Sequence, residues 1–210
     1  MTAAPGTPAA TPRRNLPLLG RPPVERADAA RNRRRILAAA AELVATRGVA
    51  ALSMDEVAQA AGVGVGTVYR RFGDRAGLAY AVIDDRERRF QAAFLSGPPP
   101  LGPGADAHAR LRAFLHALAE RTDEQVDLLL MAELDSPAAR FEQSYDVYHR
   151  HLVLLIRGAA PEADAVYLAD ALLAPFAANL VAHQRRTRGM SVERIKAGLD
   201  ALISGLARSG

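Results

Sequence analysis

The chain has 210 residues, half of them apolar, enough for one large domain or two small ones with a real core. Its 27 Lys+Arg exceed its 23 Asp+Glu by only +4, but every cation except Lys196 is arginine, the better fork for phosphate oxygens and guanine edges; a compositional bias shared with the many alanines is the competing account. Cysteine is absent, which excludes disulfides and thiolate metal sites. The N-terminus lacks the apolar stretch of a secretory signal and no apolar run reaches the ~18 residues of a membrane span, so a soluble, cytoplasmic chain with no membrane partner is expected.

Residues 1–23 are rich in Pro, Ala, Thr and Gly, with Arg13, Arg14 and Arg21 as their only charges, the composition of a disordered basic arm. From about Asp28 the pattern becomes helical. Asp28 is the expected N-cap and Gly48 the expected stop of a first helix with Ile36, Ala40, Leu43 and Val44 on one face. Ser53 and Glu56 form a capping box that opens a second helix at Met54, and Gly62 ends it. A third covers about 65–72. Asp74 then caps a fourth, whose buried side carries Leu78, Val82, Ile83, Phe90 and Phe94. Four prolines and three glycines within 96–106 mark a loop between two functional regions.

Beyond that loop a helix is expected from about Asp106 to Arg121, with Leu111, Phe114, Leu115 and Leu118. "TDEQ" at 122–125 reads as another capping box opening the next helix. Ser136-Pro137 and Pro161 each start one more; the second is long, reaches about Arg188 and is kinked at Pro175. Ser191 caps the last helix, in which Ile195, Leu199, Leu202, Ile203 and Leu206 form an apolar stripe. Period-two segments with hairpin turns are absent from the sequence. The expected fold class is all-α, with about nine helices.

The stretch "GVGVGTVYRRFGDR", 62–75, admits two functions. A phosphate-cradling dinucleotide loop must follow a strand and carry G-x-G-x-x-G; this one follows a short amphipathic helix and reads G-x-G-x-G. A helix-turn-helix explains more of the letters. Ala58 and Ala61 let two helices approach, Gly62 turns the chain, Val63 plugs the core, and Gly64 is a permitted but weak N-cap. The next helix then exposes Val65, Gly66, Thr67, Tyr69, Arg70 and Arg71, hydroxyls and guanidinium groups suited to phosphates and base edges, while Val68 and Phe72 face inward.

The whole segment "RRRILAAAAELVATRGVAALSMDEVAQAAGVGVGTVYRRFGDRAGL", about 33–78, resembles the TetR family of transcriptional regulators, with an aromatic-basic "GTVYRRF" centre and a following "DR". It looks most like the subgroup with "GVGVGTLYRRFPDR"-type recognition helices, departing from it at Gly73, often Pro there, and from many relatives at Gly64, often Ser. The resemblance implies a homodimer whose first helices bind a double-stranded DNA operator. It also implies C-terminal helices that enclose a ligand pocket, the last two building the dimer interface. It divides the chain into the arm, a helix-turn-helix domain over 24–75, and a ligand-binding and dimerisation domain over 76–210. No cofactor is implied. Carried over by position, Thr67 and Tyr69 touch phosphates, with a thymine methyl as a further partner of Tyr69. Val65, Gly66 and Arg70 face the groove floor, and Arg71 takes phosphate or guanine. Arg75 replaces a frequent phosphate-binding lysine. Ser53 either donates to a phosphate while capping or only caps. Arg31, Arg33, Arg34 and Arg35 are either a solvated helix face or, with the arm, a basic track along DNA.

In the second half, polar and aromatic residues stand at positions with apolar neighbours: Met131, Phe141, Tyr145, Tyr148, His149, Phe176, Asn179 and His183. Singly each reads as an inter-helix hydrogen bond or dimer contact; together they suggest a pocket for a small apolar effector. The apolar stripe from Ile195 to Leu206 is the expected dimer interface. An enzyme is disfavoured: in "HRH" at 149–151, and for Glu133 with Asp135, residues two apart on a helix point to different faces, and no nucleophile–base–orienter set is present. The expected function is a ligand-responsive transcriptional regulator, most simply a repressor. The alternative is a helical interaction protein without sequence-specific DNA binding.

Overall fold

The computed structural model describes residues 24–135 and 144–206. The expected arm, the helix start at Ser136-Pro137 and Phe141 lie outside the described residues, as does the side chain of Leu206. Ten α-helices occur among the described residues: α1 Val24–Arg47, α2 Met54–Ala61, α3 Val65–Phe72, α4 Arg75–Ser96, α5 Ala107–Glu124, α6 Val126–Asp135, α7 Ser144–Ala159, α8 Ala165–Leu173, α9 Ala178–Ala182 and α10 Val192–Leu206. The all-α expectation holds. No single helix among the described residues is long and apolar enough to cross a membrane.

Several boundaries follow the expected chemistry. Asp74 and Asp106 accept from the backbone N–H groups of Gly77 (2.8 Å) and Ala109 (2.9 Å), and Ser191 Oγ accepts from Arg194 N–H at 3.1 Å, so three caps read from the sequence form. Others do not. α1 begins a turn before Asp28, whose carboxylate pairs with Arg31 inside the helix. The Thr122 box does not form: Thr122 Oγ1 donates back to the Leu118 carbonyl at 2.8 Å, so α5 runs on to Glu124 and the break falls at Gln125. Pro161 precedes the helix it was expected to start; Asp164 caps α8 by accepting from Val166 and Tyr167 N–H. Pro175 does end that helix. A 3-10 turn over Ala174–Phe176 and an extended Ala177 (φ −59, ψ 127) separate α8 from α9 with a 47° bend at that break, and α9 continues into a π turn over His183–Thr187. The one expected long helix is therefore two.

Burial divides into two clusters. The first joins Ile36, Leu37 and Ala40 of α1 to Val57, Ala58 and Ala61 of α2, Val68 of α3, and Leu78, Ala79 and Val82 of α4; Leu128 reaches in from α6. This core crosses the expected boundary at residue 75 by two turns of α4. The second cluster uses Phe90 and Phe94 of the same helix, with Phe114 and Leu115 of α5, Tyr148 and Leu152 of α7, Leu172 of α8, and Leu199 and Ile203 of α10. Phe90, Phe94, Phe114 and Tyr148 contact edge-to-face or tilted at 5.1–6.1 Å between centroids. Between the clusters Glu87 accepts from Arg121 (2.6 Å), Tyr148 (2.5 Å) and Gln91 (2.8 Å), which gives a nearly buried carboxylate both a counter-charge and hydrogen bonds.

His151 sits in the aromatic cluster, 4.5 Å from Phe94 and 5.0 Å from Phe114, and only 7% exposed. Its Nε2 has no hydrogen-bond partner among the described residues. Burial first, and the positive charge of Arg110 second, push its imidazole down to about 4. Unfolded chain takes up the proton near pH ~6.5, folded chain only near the lower value, so the contribution of neutral His151 is complete above ~6.5 and is lost as pH falls toward about 4. Thermal midpoints measured across that window should fall more steeply for the wild type than for His151→Phe. Parallel profiles would rule His151 out as the cause.

Candidate nucleic-acid interface

The interface is built at the turn between α2 and α3. Gly62 takes φ 62, ψ 42, a left-handed conformation that lets the chain reverse while its N–H closes onto the Gln59 carbonyl at 3.1 Å. Val63 follows, donating to the Ala58 carbonyl at 3.0 Å and half-burying its side chain. From α1, Arg35 Nη2 donates to the Ala61 carbonyl at 2.6 Å. A cation thus meets the negative end of α2 and satisfies one of its orphan carbonyls. The guanidinium lies so close that a Cβ on Gly62 would stand 2.8 Å from it.

Gly64 starts α3 in ordinary extended geometry without a side-chain cap. Val68 is fully buried and Phe72 half-buried, which fixes the helix's rotation. The opposite face then shows Val65 (37% exposed), Gly66, Tyr69 (49%), Arg70 and Arg71, with Thr67 half-buried at its edge. All of these α3 residues expected to touch DNA come to one surface. Arg71 Nη1 also donates to the Ala29 carbonyl of α1 at 2.8 Å, and Arg75 Nη2 to the Val49 carbonyl at 2.7 Å. Ser53 holds the extended geometry of an N-cap but its side chain makes no cap bond. Its expected partner Glu56 is taken by Arg47 at 2.5 and 2.7 Å, so the capping box does not form. In the arginine run, Arg31 and Arg35 are committed to Asp28 and Ala61, and Arg33 lies 4.0 Å from Asp85. α1 and α3 enclose a notch of about 360 Å³ lined by Asp28, Ala29, Asn32, Thr67, Arg70 and Arg71. Sequence reasoning placed Arg35 only in a basic run and did not single out Asn32, because the Arg35–Ala61 bond and the notch beside Asn32 join residues 26 or more apart and carry no local signature.

Residues 36–82 match the family described as bacterial regulatory proteins, tetR family. This stretch carries a DNA-binding domain of the TetR family. An HTH-type transcriptional regulator of Staphylococcus aureus (strain USA300) is 45% identical over 58 residues, 28% of this chain and 31% of that relative, so the chain spans under a third of its length. A TetR-family transcriptional regulator from Pectobacterium atrosepticum superposes at a TM-score of 0.63 with 24% identity, covering 86% of this chain and 96% of that one. A transcriptional regulator from Saccharomonospora viridis in complex with choline gives 0.62 with 22% identity, covering 83% and 96%. At these identities the two structures show a shared fold. The TetR family is one of DNA-binding transcriptional regulators and not of enzymes.

The TetR-type sensor residues expected from the sequence do not converge. Tyr148 belongs to the aromatic cluster. Tyr145 and His149 stack at 6.3 Å near the surface, where Tyr145 donates to Asp170 at 2.6 Å and His149 Nε2 lies 3.2 Å from the Val166 carbonyl. His149 and His151 therefore serve different surroundings. Met131 packs on the first cluster and Phe176 on the second. Asn179 and His183 are exposed, a correction: the break at Pro175 resets the helical phase, and Asn179 Oδ1 accepts from its own neighbour Leu180 at 2.7 Å. The expected dimer stripe is corrected likewise. Leu199 and Ile203 pack into the chain's own core and Ile195 lies half-buried against it, because α10 lies on α5, pinned by the Arg112–Asp200 fork (2.9 Å twice). Of the stripe's described residues, Leu202 is the one left outward, at 56% exposed.

Gly62→Ala should destabilise the fold by ~1–2 kcal/mol in urea titrations, because an L side chain is strained at that φ and meets Arg35. Gly66, in open space within α3, should give the opposite sign: Gly66→Ala should stabilise by ~0.5–1 kcal/mol. Equal effects at the two positions would contradict this assignment of the turn.

Proposed function

We propose that the chain is a ligand-responsive regulator, most simply a repressor, which binds a palindromic operator as a homodimer in the cytoplasm and leaves it when a small effector binds the C-terminal helices. The observation that carries the reading is the outward face of α3: Val65, Thr67, Tyr69, Arg70 and Arg71 over a rotation locked by Val68. Thr67 and Tyr69 serve phosphates, Arg70 a base edge, and Ser53 and Arg75 flank them. A protein with the same fold is bound to choline, which supports a small effector for this one. The division into a DNA-binding part over 24–75 and a ligand-binding and dimerisation part over 76–210 belongs to the same reading, with α4 common to both cores.

A homodimer presents its two recognition helices about one DNA turn apart, ~34–36 Å or a compatible spacing. An effector releases the operator only if it prefers the dimer with the wrong spacing, with a coupling of ~1–3 kcal/mol. The surface offered to a second copy is what α8 and α10 leave outward: Val166, Tyr167 (69% exposed) and Leu202. Repression is the simplest mode because an occupied operator blocks polymerase.

Selection of bound DNA from a random pool should return a two-fold symmetric site. Tyr69→Ala and Arg70→Ala should each weaken that site by about 10–100-fold while the molecular mass in solution stays that of a dimer. Tyr167→Glu should shift the mass toward the monomer. Enrichment of no sequence, with the dimer intact, would favour a helical interaction protein instead.

A further inference from the structure

The notch between α1 and α3 borders the surface expected to read bases and shares Arg70 with it. Its α3 wall is Thr67, Arg70 and Arg71, spaced so that one helical face carries all three. Its α1 wall is Asp28, Ala29 and Asn32, similarly spaced. Arg71 is fastened to the Ala29 carbonyl, which holds the guanidinium at the wall with its remaining N–H donors uncommitted. In that position it bridges α3 to α1. Asp28, the one acid in the notch, is already paired with Arg31, so the field inside is set by two arginines. Among the described residues neither Asn32, Thr67 nor Arg70 has a side-chain hydrogen-bond partner, which leaves an amide, a hydroxyl and a guanidinium around one space of about 360 Å³. Neutral and cationic donors converging on a single concavity suit a tetrahedral monoanion with several acceptor oxygens.

We infer that this notch seats one phosphodiester of the DNA backbone in each half-site, that Asn32 of α1 is a direct DNA-binding residue, and that Arg71 is a backbone clamp and not a base reader. The inference rests on the DNA-binding function proposed above. It assigns register to the α1–α3 pair and leaves sequence choice to Val65 and Arg70.

The test uses the full chain and the selected operator, with methylphosphonate replacing one phosphate at a time. In each half-site one replacement should weaken wild-type binding about 10–100-fold, the scale of one charge-assisted hydrogen bond, and should weaken Arg71→Ala much less, because its clamp on that phosphate is already gone. Asn32→Ala should lose a similar factor on operator and on scrambled duplex. Asn32→Asp, which keeps the size but adds a negative charge, should lose more on both. Arg71→Ala should lower the log–log salt slope by ~0.9 per protomer and leave the selected sequence unchanged. If the wild type and Arg71→Ala give the same methylphosphonate profile, if Asn32→Ala leaves affinity unchanged on both duplexes, or if Arg71→Ala changes the preferred bases, the notch is not the phosphate seat although the protein still binds DNA. Failure of the wild type to bind any duplex would overturn this inference together with the function on which it rests.

Discussion

An eight-residue helix cannot hold itself together in water, because two turns of hydrogen bonds do not repay the cost of nucleation. α3 is such a helix, and its conformation is imposed from outside. Val68 sinks into the cluster made by α1, α2 and α4, Phe72 follows it, and the left-handed Gly62 sets the angle of entry. Arg35 then ties the turn to α1 through the Ala61 carbonyl, and Arg71 ties α3 to α1 through that of Ala29. The reading surface is thus a property of α1 as much as of α3. The alanines at 40, 58 and 61 matter for the same reason: larger side chains there would push the helices apart and take α3 with them.

α4 carries the load between the two halves. Its first turns complete the first core through Leu78, Ala79 and Val82, and its last turns complete the second through Phe90 and Phe94. At the change-over lies Glu87, held by Arg121 of α5 and Tyr148 of α7. An ion pair so nearly buried resists movement, because separating the partners would leave an uncompensated charge in a poorly hydrated space. Leu128 of α6 adds a second link by burying its side chain wholly in the first core. The DNA-binding half is therefore not a bead on a string.

The first half was readable from sequence because its signals are local. Gly62, Asp74 and the alternation of Val68 and Phe72 with exposed neighbours each act within a few residues, and the match to TetR relatives falls on this same stretch. The failures were competitions that no local pattern records. Glu56 had a better partner in Arg47 than in the backbone of its own helix. Thr122 bonded backward to Leu118 and so extended the helix it was expected to end. In the second half one wrong assumption of continuity across Pro175 placed Asn179 and His183 on the wrong side, since Ala177 leaves helical geometry and α9 restarts with a new phase. The apolar stripe of α10 was real, but periodicity reports that a face is buried and not by whom; α5 of the same chain covers Leu199 and Ile203.

Three arginines around the turn, Arg35, Arg71 and Arg75, donate to the main-chain carbonyls of Ala61, Ala29 and Val49. A carbonyl acceptor is supplied by every amino acid, so the receiving half of each tether is silent to substitution at those three positions. Mutation can erase the contact only from the arginine side. Homologous chains can therefore drift at 29 and 49 without loosening the scaffold, and covariation between the two ends of these tethers will be weak even where the bonds are kept. The clamps that hold the recognition helix are of a kind that methods relying on paired changes in sequence pass over.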